Sequence, residues 1–302
     1  LVESGPVRAC IETVKTWGKS SFIERTYLYR SYPRIDYRLE VHWLETGTDT
    51  TDSPMLRAVF PLAIDNPRLF CQVPFDVVER PVDGSINGKD ARPFQKSQSE
   101  IYGVKPETND GQEVPAQKWV DVTDGKDGIA LLNQGKYGHS FHNGELRLTL
   151  MRAAGNPDIY PNLGKFIINY SLFPHSGNWE NGVWDEGNDF NNPVYACEPP
   201  SLALGDGHAK LPEEKSFVSV VPQNVMLSGM KQSEDGDELI VRLFEAEGKE
   251  VTAIVNLPFG PQTVRRLNLI ENPLPEGPAP VISGQSVSVK LRPHEILTLG
   301  IK

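Results

Sequence analysis

The 302-residue chain has 38% hydrophobic and 23% charged residues, ordinary for a soluble globular protein. Its formal net charge of −10 argues against a nucleic-acid or anionic-membrane partner, since both need clustered Lys and Arg. No apolar run approaches the ~20 residues of a membrane span, and the length allows about two domains with a sizeable core.

Residues 1 to 78 read as strands. From Arg34 to Trp43 the alternation is complete: Ile35, Tyr37, Leu39, Val41 and Trp43 on one face, Arg34, Asp36, Arg38, Glu40 and His42 on the other. That pattern predicts a half-buried antiparallel strand whose outer charges pair across strands. Ser21–Arg30 and Leu56–Phe60 read as neighbours. From Arg80 to Ala116 the pattern dissolves into turn signals such as Asp83-Gly84 and Asn87-Gly88. A stretch this long reads either as a wall over the Gln117–Arg152 segment or as a surface excursion.

Within Gln117–Arg152, Trp119–Val122, a turn at Asp124-Gly125 and Ile129–Leu132 form one hairpin. After a polar loop from Asn133 to His139 comes a strand, Leu146–Met151. Strict alternation puts Leu146, Leu148, Leu150 and then Arg152 on one face, so a guanidinium ends an apolar row. Such a charge needs a carboxylate, a ligand or water. Phe166, Ile168, Tyr170 and Leu172 alternate as another strand. Gly177–Tyr195 sets Trp179, Trp184, Phe190 and Tyr195 among Glu180, Asp185, Glu186 and Asp189. Aromatics among carboxylates suit sugar stacking at Trp179 and Trp184, or else a packed loop.

Glu198 to Lys215 reads as a linker. Beyond it six strands are expected: Phe217–Val221, Glu238–Phe244, Val251–Leu257, Val264–Leu269, Ser286–Leu291 and Ile296–Ile301. No helical periodicity exceeds about two turns. The expected fold is all-β, and the six short strands after the linker read as a small β-sandwich.

Chemistry-bearing motifs are sparse. Cys10, Cys71 and Cys197 are odd in number and widely spaced, which suits idle thiols in a reducing, cytoplasmic compartment. No GxSxG elbow, Walker loop or strand-linked GxGxxG occurs. His139 and His142, three apart in an expected loop, are either a metal pair or two unrelated histidines.

The segment from Gln117 to Arg152 resembles the C-terminal β-domain of the class II α-mannosidases, glycoside hydrolase family 38. Val2–Ala9, Tyr170–His175 and Leu291–Ile296 agree with that family in order. The resemblance implies a large antiparallel, galactose-mutarotase-like supersandwich over residues 1–205 followed by a smaller β-sandwich over 206–302, together the non-catalytic C-terminal region of a retaining α-mannosidase that removes terminal α-D-mannosyl residues. It implies that the zinc-dependent catalytic barrel precedes Leu1, since the residue two after each His is Leu44, Phe141, Gly144, Gly177, Lys210 or Ile296 and never the aspartate of the family's His-x-Asp motif. No catalytic residue, metal ligand or cofactor is then expected here. The partners implied are the chain's own catalytic domain and an α-mannoside, and a homo-oligomer is compatible with this.

Carried over by position, Arg152 belongs to the substrate rim, with Lys136, Tyr137 and His139 in the adjacent loop; a structural ion pair of Arg152 is the alternative. Two rival readings stay open. One is a stand-alone carbohydrate-binding module using the Trp179–Tyr195 segment. The other is an aldose epimerase pairing His175 or His139 with Glu180.

Overall fold

The computed structural model describes residues 1–48, 53–82, 113–154, 162–198, 212 and 214–302. In chain order come β1 (Glu3–Ser4), β2 (Arg8–Trp17), β3 (Ser20–Tyr29), β4 (Tyr32–Trp43), β5 (Met55–Pro61), β6 (Arg68–Val73) and β7 (Asp76–Arg80). Next are β8 (Val114–Pro115), β9 (Trp119–Thr123), β10 (Asp127–Asn133), β11 (Gly138–His142), β12 (Glu145–Arg152), β13 (Gly164–Ser176) and the helix α1 (Val183–Asn191). The remainder holds β14 (Ser219–Val221), β15 (Val225–Gln232), β16 (Leu239–Glu245), β17 (Val251–Asn256), β18 (Val264–Leu267), β19 (Val281–Ser283), β20 (Ser286–Leu291) and β21 (Ile296–Ile301).

The fold is all-β, as the alternation predicts. Two compact units divide it: Leu1–Pro74 with Val78–Val194, and Phe75–Val77 with Tyr195–Lys302. The expected boundary at 205, most of the linker and nearly all of the turn-rich 80–116 stretch lie outside the described residues.

In the first unit a nine-stranded sheet, β1-β2-β3-β4-β13-β10-β9-β6-β7, contributes to one core with a four-stranded sheet, β5-β12-β11-β8. Inner-face residues Leu39, Val41, Trp43, Val120, Val122, Leu131 and Ile168 meet Ala58, Phe141, Leu146 and Leu148. The charged outer face of β4 pairs as expected: Arg25 reaches Glu12 at 2.9 Å and Glu40 at 2.6 Å. The β9–β10 turn is built by Asp124, whose Oδ1 accepts the backbone N–H groups of Lys126 and Asp127, with Gly125 at φ 89°. In the second unit β14-β17-β20-β19 and β15-β16-β21-β18 share a core that includes Val241, Leu243, Val255, Val289 and Leu299.

Four expectations need correction. Gly177–Tyr195 is not simply a loop, because it contains α1, whose Val183, Trp184, Gly187 and Phe190 are buried. Nine residues are about two and a half turns, too short for periodicity to announce, and such a helix is held by packing. His139 and His142 lie in β11, not in a loop. Among the described residues Ser219–Ile301 hold eight strands, not six: β15 escapes alternation because only Val225 along it is buried and its register shifts between Leu227 and Gly229. The fourth concerns Arg152. The register of β12 against β5 shifts between Thr149 and Met151, so Leu150 and Met151 are both buried and Arg152 emerges exposed. A bulge inserts one residue and inverts the alternation beyond it. Arg152 therefore leaves the apolar row of Leu146 and Leu148.

Candidate functional site

Antiparallel pairing in the small sheet brings the expected rim residues to one end. His139 pairs with Leu148, so the turn preceding β11 and the last residues of β12 lie at the same end of the sheet, beside β8. That turn carries Lys136 and Tyr137; β12 ends in Arg152. The turn is fixed by its backbone, with Lys136 N–H donating to Asn133 Oδ1 at 2.7 Å and Ala116 N–H to the Tyr137 carbonyl at 3.1 Å. Tyr137 is 57% exposed, Lys136 is half-buried, and burial lowers the Lys136 pKa. Arg152 accepts the Asn162 side-chain amide on its carbonyl at 2.7 Å and leaves its guanidinium exposed. Nearby Glu113 accepts from Thr149 Oγ1 and stands 3.6 Å from Arg57. An exposed phenol and guanidinium over a fixed turn can offer hydrogen bonds to a polar ligand or to a facing carboxylate.

His139 does not join this rim. Its side chain is fully buried on the core side of β11, opposite Leu148. Nδ1 lies 3.2 Å from the Tyr137 carbonyl and Nε2 3.4 Å from the Asn133 amide nitrogen, which fits a neutral ring. Burial pushes its pKa down to about 4, opposed by the Tyr137 carbonyl. His139 and His142 point to opposite faces of one strand, so they form no metal pair. No group of three or more His, Cys, Asp or Glu side chains able to hold a metal ion occurs among the described residues, which therefore offer no ligand set for the zinc that the resemblance implies.

Trp179 and Trp184 are corrected as well. They are 8% and 7% exposed, and their rings pack 5.9 and 5.7 Å from that of Trp119 under α1. A ring buried between protein groups has no face for a pyranose. Gly187 permits this approach, because a Cβ there would collide with the Trp119 ring.

Alternation and motif matching missed a buried pair on the same outer face of the large sheet. His175 Nε2 lies 2.8 Å from Asp121 Oδ1, with both side chains nearly inaccessible. Burial pushes the Asp121 carboxyl up, and His175 opposes it. Burial likewise pulls His175 down, but the hydrogen bond and charge of Asp121 outweigh it, so the imidazole is held above its ordinary value. Gly128 lies opposite His175, and a Cβ there would strike the ring. That glycine was the available signal: a glycine within a strand marks a close approach of another group.

Comparisons with known proteins agree with this architecture. Residues 1–160 match the model for the glycosyl hydrolases family 38 C-terminal domain. The chain belongs to that family. Residues 224–299 match the glycosyl hydrolases family 38 C-terminal beta sandwich domain. Among curated relatives, alpha-mannosidase G of Dictyostelium discoideum is 26% identical over 270 residues, covering 86% of this chain and 22% of that protein. Human alpha-mannosidase 2C1 is 27% identical over 271 residues, covering 88% and 23%. The family 38 chain thus spans under a quarter of either relative. An alpha-mannosidase structure from Enterococcus faecalis superposes with a TM-score of 0.69 at 17% identity, over 94% of this chain and 29% of that one, a likeness of fold.

Proposed function

We propose that this chain is the non-catalytic C-terminal β-sandwich region of a retaining α-mannosidase. In this reading it packs on a zinc-dependent catalytic barrel elsewhere in the full-length polypeptide and completes the rim of that barrel's active site. The family match over residues 1–160 supports the parent activity. The observation that carries the rim assignment is the convergence of Lys136, Tyr137 and Arg152 at one end of the small sheet, with the Arg152 guanidinium exposed. A buried arginine already paired inside the sandwich would have favoured a structural ion pair.

The role follows from the chemistry of the side chain. A guanidinium is always charged and presents a rigid fork of donors, so it can orient a carboxylate of a facing domain or hydroxyls of a mannoside. In the full-length enzyme, Arg152→Ala should lower kcat/KM for a chromogenic α-mannoside about tenfold or more, with an unchanged melting temperature. Unaltered kinetics would remove Arg152 from the rim. The 302-residue chain alone should show no turnover of the same substrate, and turnover comparable to the intact enzyme would overturn the non-catalytic reading.

A further inference from the structure

The nine-stranded sheet of the first unit extends past the four-stranded one, and β5 is the terminal strand of the smaller sheet. Along that edge runs a cleft of about 640 Å³, between the inner faces of β2, β3 and β4 and the strand β5. This volume falls within the ~300–1,000 Å³ usual for small-molecule sites. None of the residues proposed for the rim lines it.

Its lining is specific. Trp17 is 55% exposed, and its ring stacks on Trp43 with centroids 5.8 Å apart and planes at 25°. Trp43 is only 1% exposed, yet its Nε1–H has no acceptor among the described residues. A buried donor left without a partner is costly unless something in the cleft accepts from it. Tyr37 stacks on Tyr170 at 5.0 Å, and Tyr170 donates its hydroxyl to Glu24 Oε2 at 2.6 Å. Exposed Thr13 and Lys15 complete the polar complement. The chemistry on offer is a flat exposed ring face, a fixed buried donor, a carboxylate acceptor and an exposed ammonium. The ligand that answers all four has apolar C–H faces and a hydroxyl on nearly every carbon.

We infer that the cleft between β5 and the overhanging β2–β4 face is a saccharide-binding site, with Trp17 as stacking platform and the Trp43 indole N–H as donor to a hydroxyl or ring oxygen. The choice of mannose as the sugar rests on the proposed function; the saccharide class rests on the lining. No covalent step is involved, so the site tethers a glycan.

The test is titration of the 302-residue chain with α-linked mannotriose, followed by calorimetry and tryptophan fluorescence. Saturable binding with a change in indole emission is expected. Trp17→Ala, at an exposed ring, should weaken it about tenfold with the melting temperature unchanged. Trp43→Phe should weaken it as much while lowering the melting temperature, because it also removes volume from the core. Lys15→Ala, at an exposed position, keeps the test valid where an indole substitution disturbs folding. Absence of saturation at millimolar sugar overturns the proposal, as does affinity indifferent to all three substitutions. Uptake of an apolar dye but not of sugar would mark the cleft as a protein-docking surface and equally overturn it. Failure here leaves α-mannoside hydrolysis by the full-length enzyme intact, so the two readings fall separately.

Discussion

The imidazole of His139 is sealed from solvent, and a proton added there would be a buried charge opposite Leu148. Its folded pKa, pushed to about 4, lies below the ordinary value near 6.5, so between those limits the unfolded chain binds more protons. Stability is then full above about pH 6.5 and falls as the pH drops toward 4. One unit of pKa is ~1.4 kcal/mol, so the loss is about 3 kcal/mol. Urea melts from pH 7 to 4 should show this slope, and His139→Leu should flatten it. The Asp121–His175 pair behaves oppositely on the His175 side. That imidazole is held above its ordinary value, so its contribution is fully present below about pH 6.5 and is lost as pH rises through the folded value. Breaking a buried pair by removing one partner costs roughly 3–5 kcal/mol. Asp121→Ala should therefore cost more at pH 6 than at pH 9 by chemical denaturation. An equal cost at both would mean a neutral ring.

At the scale of elements, β12 shows how one inserted residue redirects a side chain. Leu146 and Leu148 obey the two-residue period; beyond the register shift Leu150 and Met151 are buried in succession. Met151→Ala should cost about 2–5 kcal/mol, whereas Arg152→Ala should stay within about 0.5 kcal/mol. Reversal of that order in equilibrium unfolding would refute the bulge. The helix α1 illustrates the complementary case, a short element stabilised by the groups it covers. Its Phe190 carbonyl accepts from Gln134 Nε2 at 2.6 Å, and Asn188 accepts from the Lys118 ammonium at 2.6 Å. Glu186 accepts from Tyr32 and lies 3.3 Å from Arg34. None of these partners is within helical reach in sequence, so no local pattern could disclose them.

At the scale of the whole molecule, two cores are closed by separate sets of strands. Leu148 and Leu299 are both fully buried, one in each unit. Leu148→Ala and Leu299→Ala should each remove roughly 2–5 kcal/mol from the unit that contains them. Calorimetry should resolve two transitions, with each substitution lowering a different one. A single transition lowered alike by both would show one cooperative block.

The sequence by itself determined the all-β class, the bounds of β20 and β21, the split faces of β4 and the hairpin at Asp124-Gly125. Those features depend on period-two alternation and on turn residues, which are local. Tertiary structure decided the rest. Whether Arg152 or Met151 faces the core depended on register against β5. Whether Trp179 and Trp184 were free depended on Trp119, far earlier in the chain. Whether His139 was a surface ligand or a core residue depended on pairing with Leu148. Each concerns a neighbour distant in sequence, and a local period carries no information about which strand will lie beside it.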